Sequence, residues 1–123
     1  MSLARKKLGK AGEDVARKYL KRRGHRILAK NYTFSIGEID LITYHEDCIV
    51  FVEVKTRSDP QTLDTEFPVS RTQRRHAVRA AQAWLSQHRD PDCAYRFDAV
   101  SVVLPRDGEP SVRHIVDAFT PSR

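Results

Sequence analysis

Apolar residues near the start of the chain, and again near residue 80, recur at helical spacing. The segment Leu3 to Arg23 is predicted to be a helix, because its apolar residues repeat about every 3.6 positions and Gly24 is suited to end it. A second helix is predicted to begin at a Ser70 or Thr72 cap and to run to about Gln87. Each helix would bury one face, formed by Leu8, Ala11, Val15, Tyr19 and Leu20 in the first and by Ala77, Ala81, Trp84 and Leu85 in the second.

Between and after these helices, short apolar runs and alternating patterns predict strands. Arg26 to Tyr32 is predicted to be a short first strand, and Asn31 to Ile36 a turn or loop, with Asn31 suited to a left-handed backbone. The other predicted strands are Gly37 to Ile42, Val50 to Lys55, Tyr95 to Leu104 and Val112 to Phe119. The predicted order of elements is therefore αβββαββ, in a domain of residues 1–119 followed by a frayed tail of residues 120–123.

The two strands on either side of residues 45–48 are predicted to form a hairpin with a defined register. If the turn is centred between Glu46 and Asp47, Asp40 lies directly opposite Glu53, and alternation returns Lys55 to the same face. This face would also carry Ile42, Ile49 and Phe51, and the opposite face would carry Ile39, Leu41, Val50, Val52 and Val54. Both faces are largely apolar, so the hairpin is expected in a sheet that is covered above and below.

Two carboxylates facing each other across a hairpin repel, and a sequence selected only for stability would avoid the pair. Asp40 and Glu53 with Lys55 beside them suit a divalent cation that prefers oxygen ligands. The alternative is an ion pair at the strand end, between Glu53 and Lys55 or Arg57, with Asp40 simply solvated.

The composition is that of an ordinary globular domain. The 123 residues are 40% hydrophobic and 31% charged, enough for one core. The N-terminal charges precede no apolar signal segment, and no run is long enough to span a membrane, so a cytoplasmic protein is expected.

Cys48 and Cys93 have neither metal-site nor disulfide-framework spacing, and the five histidines are expected to be solvated or to face nucleic acid.

The net charge of +6 is unevenly distributed along the chain. Residues 1–30 carry eleven Lys or Arg and two acids, whereas residues 31–70 carry two basic residues and eight acids. The second predicted helix begins with a further cluster of cations, namely Arg71, Arg74, Arg75 and Arg79. An acidic centre between basic helices is expected of a metal site that acts on a polyanion, although basic helices can also be no more than soluble surfaces.

Several short motifs together resemble a known family. They are Gly9-x-x-Gly12-Glu13, Gly37-Glu38-Ile39-Asp40-Leu41-Ile42, Phe51-Val52-Glu53-Val54-Lys55-Thr56-Arg57 and Arg96-Phe97-Asp98, with Ala16, Tyr19, Leu20, Gly24 and Asn31 between them. This pattern resembles the small bacterial YraN-type proteins of uncertain function, which are similar to archaeal Holliday junction resolvases of the PD-(D/E)XK nuclease superfamily. The resemblance implies a restriction-endonuclease-like core, with a mixed β-sheet flanked by helices. No Pro precedes Asp40, which departs from the superfamily pattern.

The resemblance also implies an activity, namely metal-dependent hydrolysis of DNA, including branched DNA, in repair or recombination. Asp40, Glu53 and the carbonyl of Val54 would bind Mg²⁺ or Mn²⁺, Glu13 on the first helix would complete the site, and Lys55 would act on the attacking water. Residues expected to contact nucleic acid are Arg57, Arg71, Gln73, Arg74, Arg75 and Arg79, where Gln73 replaces a lysine common in related proteins.

Other interpretations of the sequence are open. Glu13 can instead be a half-buried acid paired with a nearby cation. The chain can be a DNA- or RNA-binding module with a nuclease fold and no turnover, or it can bind an acidic protein through its basic helices. Since resolvases cut two strands symmetrically, the resemblance implies a homodimer, although no feature of this sequence indicates one.

The loop Ser58 to Pro68 is long enough to be a lid or a substrate-binding segment.

Overall fold

A computed structural model describes residues 3–59, 69–88 and 93–121. The chain forms seven elements in the predicted order αβββαββ. They are helix α1 (Leu3–Arg22), strands β1 (Arg26–Phe34), β2 (Gly37–His45) and β3 (Cys48–Arg57), helix α2 (Arg71–His88), and strands β4 (Ala94–Val103) and β5 (Ser111–Phe119). The predicted lid between Ser58 and Pro68 lies mostly outside the described residues, as does the end of the predicted tail.

The five strands form one mixed sheet in the order β1-β2-β3-β4-β5. Neighbouring strands are antiparallel except β3 and β4, which are parallel. A parallel pair needs a long crossover connection, and α2 lies in that connection. This arrangement confirms the predicted fold class, a mixed sheet with a helix on each side.

Each face of the sheet carries its own hydrophobic core. The core beneath α2 contains Ile42, Phe51, Trp84 and Phe97, whereas the core beneath α1 contains residues such as Leu41 and Val50. Consecutive residues such as Val50 and Phe51 therefore belong to opposite cores, as strand alternation requires. The sheet is buried on both faces, so its central strands are nearly continuous in apolar residues.

The first strand is longer than the sequence analysis predicted. The segment Asn31 to Ile36 was expected to be a turn or loop, but β1 continues to Phe34 and pairs with β2 as far as Gly37. Asn31 has a φ of 51°, so its predicted left-handed backbone is confirmed, within a strand rather than in a loop. Asn and Ser favour turns, and here the pairing with β2 overrides that local preference.

The ends of both helices are closed by local hydrogen bonds. Gly24 has a φ of 92°, and the amide of His25 donates to the carbonyl of Leu20 at 3.0 Å, which is the Schellman termination. At the start of α2, the Ser70 hydroxyl accepts from the Gln73 amide and the Gln73 side chain accepts from the Ser70 amide, both at 3.1 Å. This capping box identifies Ser70 as the cap. No helix in the described part of the chain is long and apolar enough to cross a membrane.

Candidate active site

The site lies where β2 and β3 separate. Their paired residues run from His45 and Cys48 to Leu41 and Val52, which confirms the predicted hairpin register. Beyond that pair, β2 remains paired only with β1, and β3 continues beside β4 as far as Arg57. We call the gap between the arms 37–40 and 53–57 the fork. Asp40 and Glu53 are the arm residues next to Leu41 and Val52, the last pair that joins β2 to β3.

Asp40 bridges the two arms of the fork. Its Oδ2 accepts a hydrogen bond of 2.7 Å from the amide of Val54, an amide that no longer has a β2 carbonyl as a partner. The N–H and C=O of one strand residue project to the same side of the strand, so the Val54 carbonyl also faces the fork. The Val54 carbonyl, a predicted metal ligand, therefore faces the same gap as the carboxylate of Asp40, another predicted ligand.

The predicted face of Ile39 is wrong. Strict alternation places Ile39 with Leu41, but in the structure Ile39 packs with Ile42 in the core beneath α2. The alternation therefore fails at Asp40, where β2 loses β3 as a neighbour and follows β1 alone. A break in strand alternation changes the direction of a side chain, and here the break falls at Asp40, a residue of the candidate site.

Helix α1 brings Glu13 to the fork by close packing at Gly12. A methyl group at Gly12 would overlap the side chain of Thr56 in the β3 arm, so only glycine allows this approach. Gly9 makes no such contact, because a methyl group there would meet nothing within 4 Å. Glu13 is half-buried beside this contact and hydrogen-bonds with the side chain of Asn31.

The carboxyl groups of the fork raise one another's pKa. Burial, followed by the negative charges of Asp40 and Glu38, raises the pKa of Glu13 to about 7. Burial also raises the pKa of Asp40, against the opposing hydrogen bond from Val54. The pKa of Glu53 is raised by burial and then by Asp40, with Lys55 partly offsetting both effects. These side chains therefore act on one another electrostatically, as the sequence analysis requires.

Glu53 has an unsatisfied oxygen inside the protein. Its Oε1 is buried and has no hydrogen-bond partner in the described part of the chain. A buried carboxylate oxygen without a partner costs free energy unless a proton or a cation satisfies it. The donor set of the fork consists of carboxylate and carbonyl oxygens, which are the ligands that Mg²⁺ and Mn²⁺ prefer.

The fork does not contain a preassembled cage of ligands. Among the described residues, no group of three or more His, Cys, Asp or Glu is arranged to hold a metal ion. Mg²⁺ commonly binds proteins through only one or two carboxylates and keeps several waters. Asp40 and Glu53, with the Val54 carbonyl, therefore fit such an ion, whereas Glu13 is placed to influence them electrostatically.

The residues predicted to contact nucleic acid fall into two groups. Arg71, Arg75 and Arg79 are exposed on α2, and Arg57 is half-buried at the end of β3. The other two are engaged in local structure. The Gln73 oxygen completes the capping box, and Arg74 donates to the Val69 carbonyl at 3.0 Å and lies over the ring of Phe119.

Glu38 is a member of the acidic group to which the sequence analysis assigned no role. Its charge contributes to the raised pKa of Glu13, Asp40 and Glu53 alike. The available signal was its position on the same strand, two residues before Asp40. Asn31 was similarly assigned only a backbone role, although its side chain reaches Glu13.

A second polar cluster surrounds Asp98, which is fully buried. Its carboxylate accepts from Arg96 Nε at 2.9 Å, from the Asp117 amide at 2.9 Å and contacts His114 Nε2 at 2.8 Å. Asp98 is therefore paired with Arg96, a residue of the same strand. The expectation that the histidines are solvated is wrong for His25, which is 5% exposed and stacks on His45 at 4.1 Å between ring centroids.

The fold and the site define an α/β protein with a fork lined by carboxylates in a mixed sheet. Comparison with known proteins agrees with the sequence motifs. Residues 12–102 match the sequence profile of the uncharacterised protein family UPF0102. The chain therefore belongs to the UPF0102 family, which confirms the resemblance to YraN-type proteins.

Relatives match over nearly their whole length. A UPF0102 protein of Geobacter metallireducens is 38% identical over 120 residues, which cover 97% of each chain. Another from Nitratidesulfovibrio vulgaris is 41% identical over 116 residues, covering 94% of this chain and 86% of the relative. A third, from Trichlorobacter lovleyi, is 36% identical over 113 residues, covering 91% of this chain and 89% of the relative.

Proposed function

We propose that the protein is a divalent-metal-dependent endonuclease that hydrolyses phosphodiester bonds in DNA. The observation that carries the proposal is the fork itself, where buried carboxyl groups with raised pKa values meet and one oxygen, Glu53 Oε1, has no partner among the described residues. A fold maintained for stability alone would not keep these groups together.

The residues of the fork have distinct parts in the proposed reaction. Asp40 and Glu53, with the Val54 carbonyl, would hold Mg²⁺ or Mn²⁺, and such an ion would polarise the phosphate and lower the pKa of the attacking water. The Val54 amide fixes the carboxylate of Asp40 in place. Lys55 would orient the attacking water and offset the negative charge that develops on the phosphate.

The wider surface supports a polyanionic substrate. The exposed arginines of α2 and Lys10 of α1 flank an acidic centre, so phosphates would be attracted to the edges of the site and the cation to its middle. Positioning by the phosphate backbone favours recognition of nucleic-acid shape over base sequence. Branched DNA is the substrate class that the resemblance to resolvases favours.

The test is cleavage of labelled linear, flapped and four-way DNA with Mg²⁺ or Mn²⁺. Asp40→Asn, Glu53→Gln and Lys55→Met should each lower the cleavage rate by about 10³-fold while DNA binding in Ca²⁺ persists. Glu109→Gln is the matched control, because Glu109 is an exposed acid in the turn between β4 and β5. A Glu53→Gln protein that cleaves at the wild-type rate would show that the activity does not come from the fork.

A second candidate is a nucleic-acid-binding module without turnover. The observation that favours it is the lack of a preassembled three-residue ligand group among the described residues. Wild-type protein that binds these DNAs, or the corresponding RNAs, but cleaves none of them with either metal would establish this candidate over the nuclease.

A further inference from the structure

A small pocket lies between α1 and β1 and shares a wall with the fork. Lys10, Glu13, Asp14 and Arg17 line it from α1, Lys30 and Asn31 from β1, and Leu41 from β2. Glu13 belongs to both places, since its charge also acts on Glu53 in the fork. Lys30 pairs with Leu41, the residue next to Asp40, so the pocket and the fork are adjacent along β2.

The pocket has more cations than acids in its lining, namely three against Glu13 and Asp14. Arg17 forms an ion pair with Asp14 at 3.6 Å within this lining. Neither Lys10 nor Lys30 forms an ion pair with any residue in the described ranges. Two lysines outside any ion pair on one concave site favour an anionic ligand.

The dimensions of the pocket restrict that ligand. Its volume is about 90 Å³, several times the roughly 10–15 Å³ that a cavity needs on the same measure to hold one water molecule. This space suits a phosphate group. The buried side chain of Leu41 forms an apolar part of the lining, and the carbon atoms of a sugar next to the phosphate could rest against it.

We propose that Lys10, Arg17 and Lys30 form a subsite for a nucleic-acid backbone phosphate that neighbours the phosphate held at the fork. The inference rests on the proposed function, because a strand that crosses the fork would bring its next phosphate to this wall. Free phosphate shares the same chemistry and is the other source of ligand. The bound strand would then contact residues of α1 and β1, in addition to the α2 arginines that were predicted to contact nucleic acid.

The experiment measures the affinity for duplex and four-way DNA as a function of salt, in Ca²⁺ so that no turnover intervenes. Each phosphate contact contributes a slope of roughly 0.9 to the dependence of log K on log salt. Since Lys10 and Lys30 share one phosphate, Lys10→Gln combined with Lys30→Gln should reduce the slope by about 0.9. Lys18→Gln combined with Lys21→Gln is the matched control, with two exposed lysines removed from α1 outside the pocket, and it should change the slope by less than about 0.5.

The source of the phosphate is tested on the wild-type protein by NMR. A short oligonucleotide should shift the signals of Lys30 and of the Asn31 side-chain amide at micromolar concentration, whereas inorganic phosphate should need tens of millimolar. Inorganic phosphate that saturates these signals below 1 mM and displaces DNA would overturn the assignment to a nucleic-acid backbone.

The outcomes separate this inference from the proposed function. If the wild type cleaves DNA but the pocket variant keeps the wild-type salt slope, or loses no more than the control variant, the subsite is wrong and the nuclease remains. If the wild type cleaves nothing while the pocket variant loses its slope, the subsite stands as part of a non-catalytic nucleic-acid-binding surface. Thermal unfolding of all variants confirms that each is folded.

Discussion

Glu53, a half-buried acid with one buried oxygen, and Asp98, a fully buried acid, lie on neighbouring strands in opposite environments. Asp98 lies beside Val52 in the sheet, one position from Glu53, yet Arg96, His114 and the Asp117 amide satisfy its carboxylate. Burial alone would raise the pKa of Asp98, but hydrogen bonds from His114 and Arg96 hold it below its usual range. Glu53 has a raised pKa and an oxygen without a partner in the described chain.

The difference separates a structural acid from a functional one. A buried charge that the protein satisfies contributes to the fold, and its removal should be costly. A buried charge left unsatisfied opposes folding, so its presence indicates a ligand that arrives later. The local sequence cannot reveal this difference, because both acids occupy apolar strands and both have a basic residue two positions away.

The largest expected effect on stability comes from Asp98→Asn. The substitution removes the charge that compensates Arg96 and His114, and breaking such a buried group should cost about 3–5 kcal/mol in the free energy of unfolding. Chemical denaturation measures the loss, and Asp107→Asn in the exposed β4–β5 turn should stay within about 0.5 kcal/mol of wild type. An Asp98→Asn protein as stable as this control would show that the Asp98 carboxylate does not stabilise the fold, and the proposed difference from Glu53 would be wrong.

The next effect is stabilisation by metal. Mn²⁺ that binds only the folded protein should raise its stability by about 2.7 kcal/mol at a concentration of 100 times Kd. Asp40→Asn and Glu53→Gln should abolish the shift in thermal unfolding, whereas Glu109→Gln should keep it. Equal shifts in all four proteins would place the bound metal outside the fork.

The sequence predicted the architecture well because its signals are local and repeated. Helical spacing defined α1 and α2, and the hairpin register followed from the position of one turn, as the pairing of Leu41 with Val52 confirms. The length of β1 was missed because Asn31 and Ser35 favour turns, while the pairing that keeps β1 extended comes from a different strand.

The site was less accessible to sequence reasoning. The electrostatic interaction of Asp40 with Glu53 agrees with the predicted register, but the apolar pattern of the two strands gives no sign that β2–β3 pairing ends at Leu41. The role of Glu38 and the engagement of Gln73 in a capping box likewise arise from tertiary geometry. Contacts with nucleic acid and metal stay predictions for the experiments above.

A smaller effect is expected from the packing that holds Glu13 at the fork. Gly12→Ala should push α1 away from Thr56 and destabilise the protein by about 1–3 kcal/mol, as overpacking does. Gly9→Ala is the matched control on the same helix, where a methyl group meets open space, and it should stabilise by about 0.5–1 kcal/mol. Thermal unfolding measures both, and similar losses in the two variants would contradict the close contact at Gly12.

The unsatisfied acid is tested directly by the dependence of protein stability on pH. The pKa of Glu53 is raised from 4.5 to about 8, so the folded protein holds a proton there that the unfolded chain has lost. Between these two values the stability of the metal-free wild type should therefore fall as pH rises.

Glu53→Gln cannot ionise, so at pH 8 without metal it should be more stable than wild type by about 4 kcal/mol, since each pH unit between the two pKa values contributes about 1.4 kcal/mol, and the advantage should vanish near pH 4, where both side chains are neutral. Denaturation curves at the two pH values measure this difference. A Glu53→Gln protein that is less stable than wild type at pH 8 would mean that the carboxylate is satisfied within the fold, as that of Asp98 is, and the acidic fork would then need no metal to explain it.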